Sequence, residues 1–388
     1  VRYPIQQKYP SFLPKQFMPG IYLHVPFCRK ACHYCNFHFS TSLQLKEEFL
    51  VALKEEIILR RDEAKGEPTD TIYFGGGTPS LLSPEELQSI LNLIRNHYTI
   101  GPDPEITLEA NPDDLTMDYL LALKNIGINR LSIGIQSFQE SDLRLMNRNH
   151  DATQGRVALA LARSAGFTSM NADLIYGTPG LTDEAFLQNI QELIEAGVDH
   201  ISAYALTVEP KTALAHQVKT GTVPAPDDDQ TALQFQLLKR TLAQAGFEHY
   251  EISNWARPGC YSRHNTSYWQ GIPYLGFGPS AHSFDGLARS WNVAHNPKYI
   301  QALHEGRLPI EKEILSPTDQ YNEYVLTRLR TQWGCRPDTL EQPYRHYFLA
   351  AIEPFLEEGM IIEVDGRYTL TDAGQLYADR ISASLFYD

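Results

Sequence analysis

From Ile21 to about Leu206 the chain alternates six times between short apolar, β-branched runs and stretches with helical spacing. No other property of the sequence restricts the fold as much. The runs fall near residues 21–25, 71–74, 105–109, 130–135, 170–175 and 200–206. Strand followed by helix, repeated, builds a parallel sheet with right-handed crossovers. Between the first two runs, Leu43 to Arg61 predicts a helix with Phe49, Leu53, Ile57 and Ile58 on one side. Barrel enzymes place their chemistry where strands end at their C-termini, so the residues just past each run are the candidate site.

Cys28, Cys32 and Cys35 stand just past the first run, which Pro26 closes. This C-x3-C-x2-C spacing lets a loop wrap an iron–sulfur cube with each thiolate on a different iron. A [4Fe-4S] cluster normally takes four cysteines, so three leave one iron with an open position. Zinc is the alternative, because His38 lies three residues beyond Cys35 and would complete a closed tetrahedral Cys3His site. The second run opens into Gly75-Gly76-Gly77-Thr78-Pro79. One glycine would satisfy a turn; three predict close approach of backbone to a polar ligand. The remaining runs present Glu109, Gln136, Asp173, Tyr204 and Ala205 at the same edge.

The cysteine spacing, with Tyr34 before the last cysteine, and the Gly-Gly-Gly-Thr-Pro segment resemble the signature of the radical S-adenosylmethionine (SAM) enzymes. The resemblance implies an α/β fold, the open (β/α)6 partial TIM barrel. It implies a [4Fe-4S] cluster on Cys28, Cys32 and Cys35, with the amino and carboxylate groups of SAM on the fourth iron. In that family an electron from the cluster cleaves the sulfonium to a 5′-deoxyadenosyl radical. The SAM contacts it implies are Tyr22, Tyr34, Gly76, Gly77, Thr78, Glu109, Gln136, Arg148, Asp173 and Ala205. The side chains suit such a ligand, since Arg148 offers a planar fork to a carboxylate, and Glu109, Gln136 and Asp173 can accept from an ammonium or ribose hydroxyls.

Across about 18–388 the order of motifs is similar to the coproporphyrinogen III oxidase-like branch: Glu-Ala-Asn-Pro, Gly-Ile-Gln-Ser-Phe, then Asn-Ala-Asp-Leu-Ile-Tyr-Gly-Thr-Pro. That branch holds oxygen-independent oxidases, which decarboxylate coproporphyrinogen III, and heme chaperones. The oxidases carry a further cysteine where this chain has Phe37, and a longer N-terminal arm. His264-Asn265-Thr-Ser-Tyr268-Trp269 matches the HNxxYW pattern of the chaperones. The resemblance therefore implies heme as cargo, with His264 as its iron ligand beside Asn265, and Tyr268 and Trp269 offering flat apolar area. Without it, an Asn-flanked histidine in an aromatic loop reads as a packed, hydrogen-bonded core group. Arg257, Arg263 and Arg289 are candidates for heme propionates, and Cys260 is a weaker candidate ligand. The implied partners are heme, heme-requiring respiratory enzymes, an electron donor for the cluster and a second copy of the chain. No catalytic residue is assigned beyond the cluster.

The expected organisation is an N-terminal extension or expression remnant (1–17), with Met18 able to serve as a natural start, and a barrel domain (18–246). A barrel-covering segment with the HNxxYW motif (247–314) and a winged-helix-like α+β domain (315–388) follow. In that last domain helices precede a hairpin turning at Asp365-Gly366. A winged helix raises nucleic-acid binding, but acidic residues outnumber basic ones there and the whole chain carries a formal charge of −14, which opposes phosphate contacts. No stretch approaches 18 consecutive apolar residues, so no transmembrane helix is expected. Five cysteines, three of them in one motif, make no disulfide framework. A cytoplasmic protein is expected, peripheral at the membrane during heme delivery.

Overall fold

The computed structural model describes residues 20–64 and 66–388; the expected extension at 1–17 lies outside them. Six strands, β1 (Gly20–Val25), β2 (Thr69–Gly76), β3 (Ile100–Ala110), β4 (Arg130–Gln136), β5 (Ser169–Tyr176) and β6 (His200–Ala205), pair in parallel in chain order. This is the predicted α/β partial barrel. On β1, Ile21, Leu23 and Val25 are buried outward in one continuous core with Phe49, Leu53 and Ile57 of the helix Lys46–Leu59. Each such side chain contributes about 1.5–3 kcal/mol on burial. Ile58, expected on that side, is 37 % exposed: it falls a residue past the stripe that 3.6-residue periodicity turns inward. Tyr22 and His24 alternate to the other face, into the barrel.

The segment expected to cover the barrel instead joins its sheet at both edges. β7 (Glu248–Glu251) and β8 (Asn254–Ala256) add antiparallel strands beyond β6, while β9 (Tyr274–Phe277) pairs parallel with β1. β10 (His282–Phe284), β11 (Ala288–Asn292) and β12 (Ile310–Ile314) continue outward from β9, giving a 12-stranded sheet. A buried ion pair fastens this extension. Glu56 accepts hydrogen bonds from Arg60 Nη1 (2.8 Å), Asn292 Nδ2 (2.8 Å), the Gly278 N–H (2.8 Å) and the Tyr299 hydroxyl (2.6 Å). Saturating the carboxylate this way is what offsets the cost of taking it out of water.

The C-terminal region has its own core, in which Tyr321, Val325, Phe348, Ile361 and Ile381 pack together. Helix Pro317–Leu329 precedes the hairpin of β13 (Ile361–Val364) and β14 (Arg367–Leu370). The hairpin turns through Asp365 (φ 52°) and Gly366 (φ 72°), the two positive φ values that a two-residue turn of the favoured hand requires. Two further helices, Tyr344–Ala351 and Glu353–Glu357, lie between helix Pro317–Leu329 and the hairpin. Pro354 lacks an N–H and cannot continue the first.

Candidate functional site

The cysteine loop leaves the C-terminal end of β1 and is held from two sides. Backbone bonds from Cys28 N to Ser40 O (3.0 Å) and Ser40 N to Pro26 O (2.9 Å) close its base. The segment after β4 grips its middle: His33 N donates to Met146 O (3.1 Å), His33 Nδ1 meets Leu145 O (2.8 Å), and Asn147 Nδ2 donates to Ala31 O (2.7 Å). All three thiols are partly exposed, and they lie close enough to repel one another as thiolates. Burial pushes the Cys28 thiol up to about 11, against a lowering hydrogen bond from Thr78. A bound cation would favour its thiolate, and metal binding would release protons.

Arg148 sits at the centre. Its Nη1 donates to Cys32 Sγ (3.3 Å), its Nη2 to Asn111 Oδ1 (2.8 Å) and Gly134 O (2.9 Å), while its buried Nε has no partner. Around it the strand ends bring the predicted residues together: Gly76 closing β2, Glu109 near the end of β3, Gln136 closing β4 in a positive-φ conformation (66°), Asp173 within β5 and Ala205 closing β6. Glu109 accepts from the Tyr73 hydroxyl (2.8 Å) and from Gly76 N (3.1 Å), yet burial pushes its carboxyl up to about 7. Burial likewise raises Asp173 to about 6, although Asn171 donates to it at 2.7 Å. Two carboxyls held near neutrality, both within electrostatic reach of Arg130 and one, Asp173, also of Arg148, form a site suited to receive a cation or hydroxyls. Tyr34 packs beside Met146 and Leu206, and Tyr22 stacks over Tyr73 with ring centroids 6.1 Å apart.

The glycine run also makes close approaches within the protein itself. A Cβ on Gly75 would meet Tyr22, Tyr73 and Glu109, and one on Gly76 (φ 108°) would press on the His24 ring. One on Gly77 would lie 2.6 Å from the Phe27 carbonyl oxygen. The close approach is to β1 and the cysteine loop themselves, sealed by Gly77 N donating to Val25 O (2.9 Å).

The HNxxYW motif is at the other end of the barrel. Helix Arg263–Trp269 closes the N-terminal ends of the strands, with the His264 and Arg263 N–H groups donating to the Glu105 carboxylate at 3.0 and 2.9 Å. His264 is 1 % exposed, its Nδ1 bonded to Thr71 Oγ1 (2.7 Å), its Nε2 to the Tyr268 hydroxyl (2.7 Å) and its ring stacked on Tyr73. Both nitrogens are occupied, so the expectation of His264 as an iron ligand is corrected: the motif is a plug. Asn265 contributes its N–H to the Ser262 cap. Tyr268 and Trp269 line a cavity of about 260 Å³ with Tyr274, Phe284, Arg289 and Arg328. Of the other arginines expected as propionate partners, Arg257 lies over Phe247 and Arg263 beside Asp70 and Asp103.

The donor set fits a multi-iron unit better than one ion. Among the described residues no three His, Cys, Asp or Glu side chains are grouped to hold a single metal, and His38 Nε2 bonds Asn296 Oδ1 at 2.7 Å. That bond holds one ring nitrogen of His38 against the helix Asn296–His304. Asn111 and Asn147, which hold Arg148 and the cysteine loop, are site residues that sequence reasoning misses; Asn111 stands in the Glu-Ala-Asn-Pro motif, where it could have been found.

A model of the radical SAM superfamily matches residues 22–193, and one of the HemN C-terminal domain matches residues 315–377. The chain is 38 % identical to the heme chaperone HemW of Mycobacterium tuberculosis over 97 % of both chains. It is 32 % identical to that of Bacillus subtilis over 94 % of this chain and 98 % of the relative. Among solved structures, the coproporphyrinogen III oxidase HemN of Escherichia coli, a radical SAM enzyme, superposes with a TM-score of 0.83 at 27 % identity, covering 95 % of this chain and 90 % of the other. No helix among the described residues is long and apolar enough to cross a membrane.

Proposed function

The chain belongs to the radical SAM superfamily, in the family of the heme chaperone HemW, and from that premise we propose that it carries heme and hands it to heme-requiring respiratory enzymes. The supporting observation is likeness over nearly the whole length, 97 % of this chain and of the relative, rather than over a shared barrel alone. Cys28, Cys32 and Cys35 hold a [4Fe-4S] cluster in this reading. Arg148 takes the SAM carboxylate, and Glu109, Asp173 and Gln136 take its ammonium and ribose hydroxyls. Tyr22, Tyr34, Gly76, Gly77, Thr78 and Ala205 complete its walls. When bound, the cluster and SAM supply one-electron chemistry at this rim. The chain's own part is to orient them, to keep Glu109 and Asp173 as proton-poised acceptors, and to hold Cys32 beside a fixed positive charge. Tyr268 and Trp269 offer apolar area to heme. An external electron donor, a homodimer and transient contact with the membrane surface belong to the same reading, as do a barrel over 18–246 and a separate small domain over 315–388.

Oxygen-independent coproporphyrinogen III oxidation is the second reading, favoured by the structural likeness to HemN. Phe37, 70 % exposed beside Cys35, occupies the position of that enzyme's further cysteine. One experiment separates the two. The anaerobically reconstituted protein is titrated with heme, then incubated with SAM, reductant and coproporphyrinogen III. Saturable heme binding without protoporphyrinogen formation is expected; appreciable product would overturn the chaperone reading in favour of the oxidase, and absence of a saturable Soret change would remove heme as cargo.

A further inference from the structure

The strand register gathers a second group of side chains. β10 and β11 are antiparallel, with His282 opposite Trp291 and Phe284 opposite Arg289, and Phe284 pairs in turn with Tyr274 of β9. Side chains alternate across a strand, and directly paired residues share a face. Phe284, Arg289 and Tyr274 line the 260 Å³ cavity, which fixes that face as the cavity side. His282 therefore stands on the same face, one step nearer the cysteine end. It lies within electrostatic reach of both Arg289 and His24, and its ring centroid is 6.0 Å from that of Trp291.

The other imidazoles facing the barrel are committed. His24 bonds the Tyr22 hydroxyl (3.2 Å) and His38 O (2.9 Å), His264 bonds Thr71 and Tyr268, and His200 bonds Asn171 and Tyr250. His282 is exposed and has no hydrogen-bond partner among the described residues. Partial burial, with Arg289 nearby, lowers its pKa, so its lone pair is available at neutral pH. Arg289 Nε pairs with Glu323 Oε1 at 2.8 Å, which leaves its two terminal nitrogens for a further carboxylate. An unspent imidazole, two aromatic rings and a cation on one concave face suit a flat, iron-bearing dianion.

We propose that this face is the heme seat, with the His282 imidazole as axial ligand to the iron, Phe284 and Trp291 against the macrocycle, and Arg289 toward a propionate. The assignment rests on the heme reading above and replaces His264 as the ligand. The test titrates the reconstituted full chain and its His282→Ala variant with heme and with iron-free protoporphyrin IX, checking each protein by circular dichroism and by its cluster absorbance. Wild type is expected to bind both porphyrins. His282→Ala should bind heme at least tenfold more weakly with a shifted Soret band, regain the wild-type band on adding imidazole, and bind protoporphyrin IX as before. An unchanged Soret band and affinity in the variant would overturn the ligand assignment while leaving the heme reading intact. Equal loss of both porphyrins would also overturn it, since that marks a packing role. If wild type binds neither, the heme reading falls and the seat with it. His282→Gln, of similar reach and polarity, repeats the comparison should the alanine variant fold poorly.

Discussion

The two ends of the barrel draw on the same residue types, and the sharpest contrast is between His264 at one and Arg148 at the other. At the floor, His264 has both ring nitrogens bonded and Glu105 accepts two backbone N–H groups. At the rim, Arg148 keeps an unpartnered Nε, and Glu109 and Asp173 are held far above the usual carboxylate range, to about 7 and about 6. A polar side chain is a ligand candidate where its hydrogen-bonding capacity remains unspent, and a structural element where it is exhausted. Residue type and motif membership do not make that distinction.

The largest effect expected is at the rim. Replacing any one of Cys28, Cys32 or Cys35 by serine should bring iron and sulfide content after reconstitution close to background, while the melting curve of the metal-free protein barely moves. A variant that stays fully brown would remove that cysteine from the ligand set. Next comes the floor: His264→Ala leaves Thr71 and Tyr268 without their partner and opens a cavity, and should destabilise the fold by about 3 kcal/mol. Urea unfolding measures this, and a stability loss under about 1 kcal/mol would break the contrast between plug and site. Arg148→Lys cannot span Cys32, Asn111 and Gly134 with a single ammonium. It should weaken SAM binding roughly tenfold, about 1.4 kcal/mol, with the cluster retained; equilibrium dialysis would show whether affinity is unchanged, which would place SAM elsewhere.

The smallest effect is a pH dependence. Because the folded Glu109 carboxyl titrates above its unfolded value, the native state holds a proton that the unfolded state has lost between about pH 4.3 and pH 7. Stability contributed by the protonated carboxyl is thus present at low pH and lost as pH rises through that window. Glu109→Gln should flatten the decline of the SAM-free protein between pH 5 and pH 8 by on the order of 1–2 kcal/mol. Parallel pH profiles for variant and wild type would show that Glu109 is not the buried proton acceptor.

Much of the rim is legible in the sequence because strand-end positions follow directly from the alternation of strand and helix. Once Ile21–Val25 and Thr71–Phe74 are strands, the cysteines and glycines must emerge at one edge, and Glu109, Gln136 and Asp173 with them. The floor is not, because a sequence does not say to which end of a barrel a later segment returns. His264 reaches Thr71 across 193 positions, and nothing local in Arg263–Trp269 records that. The same holds for β9, whose pairing with β1 is set by the partner's free edge rather than by its own four residues. The glycine run is only partly legible for a related reason: Cβ removal signals a close neighbour without identifying it, and within the protein the neighbours are Tyr22, His24 and Phe27. From sequence, His282 is only one member of a loop-rich segment, since its face depends on the register of β10 against β11.

The parallel pairing of β1 with β9 has a temporal consequence for biosynthesis. Gly20 meets Tyr274, and Leu23 meets Phe277, so the opening strand must wait for its second neighbour until most of the polypeptide has left the ribosome. At ordinary elongation rates that interval is roughly 10–50 s. Throughout it the nascent barrel presents a bare β edge next to three free thiols, which makes metal loading and protection from self-association problems of the same half-minute.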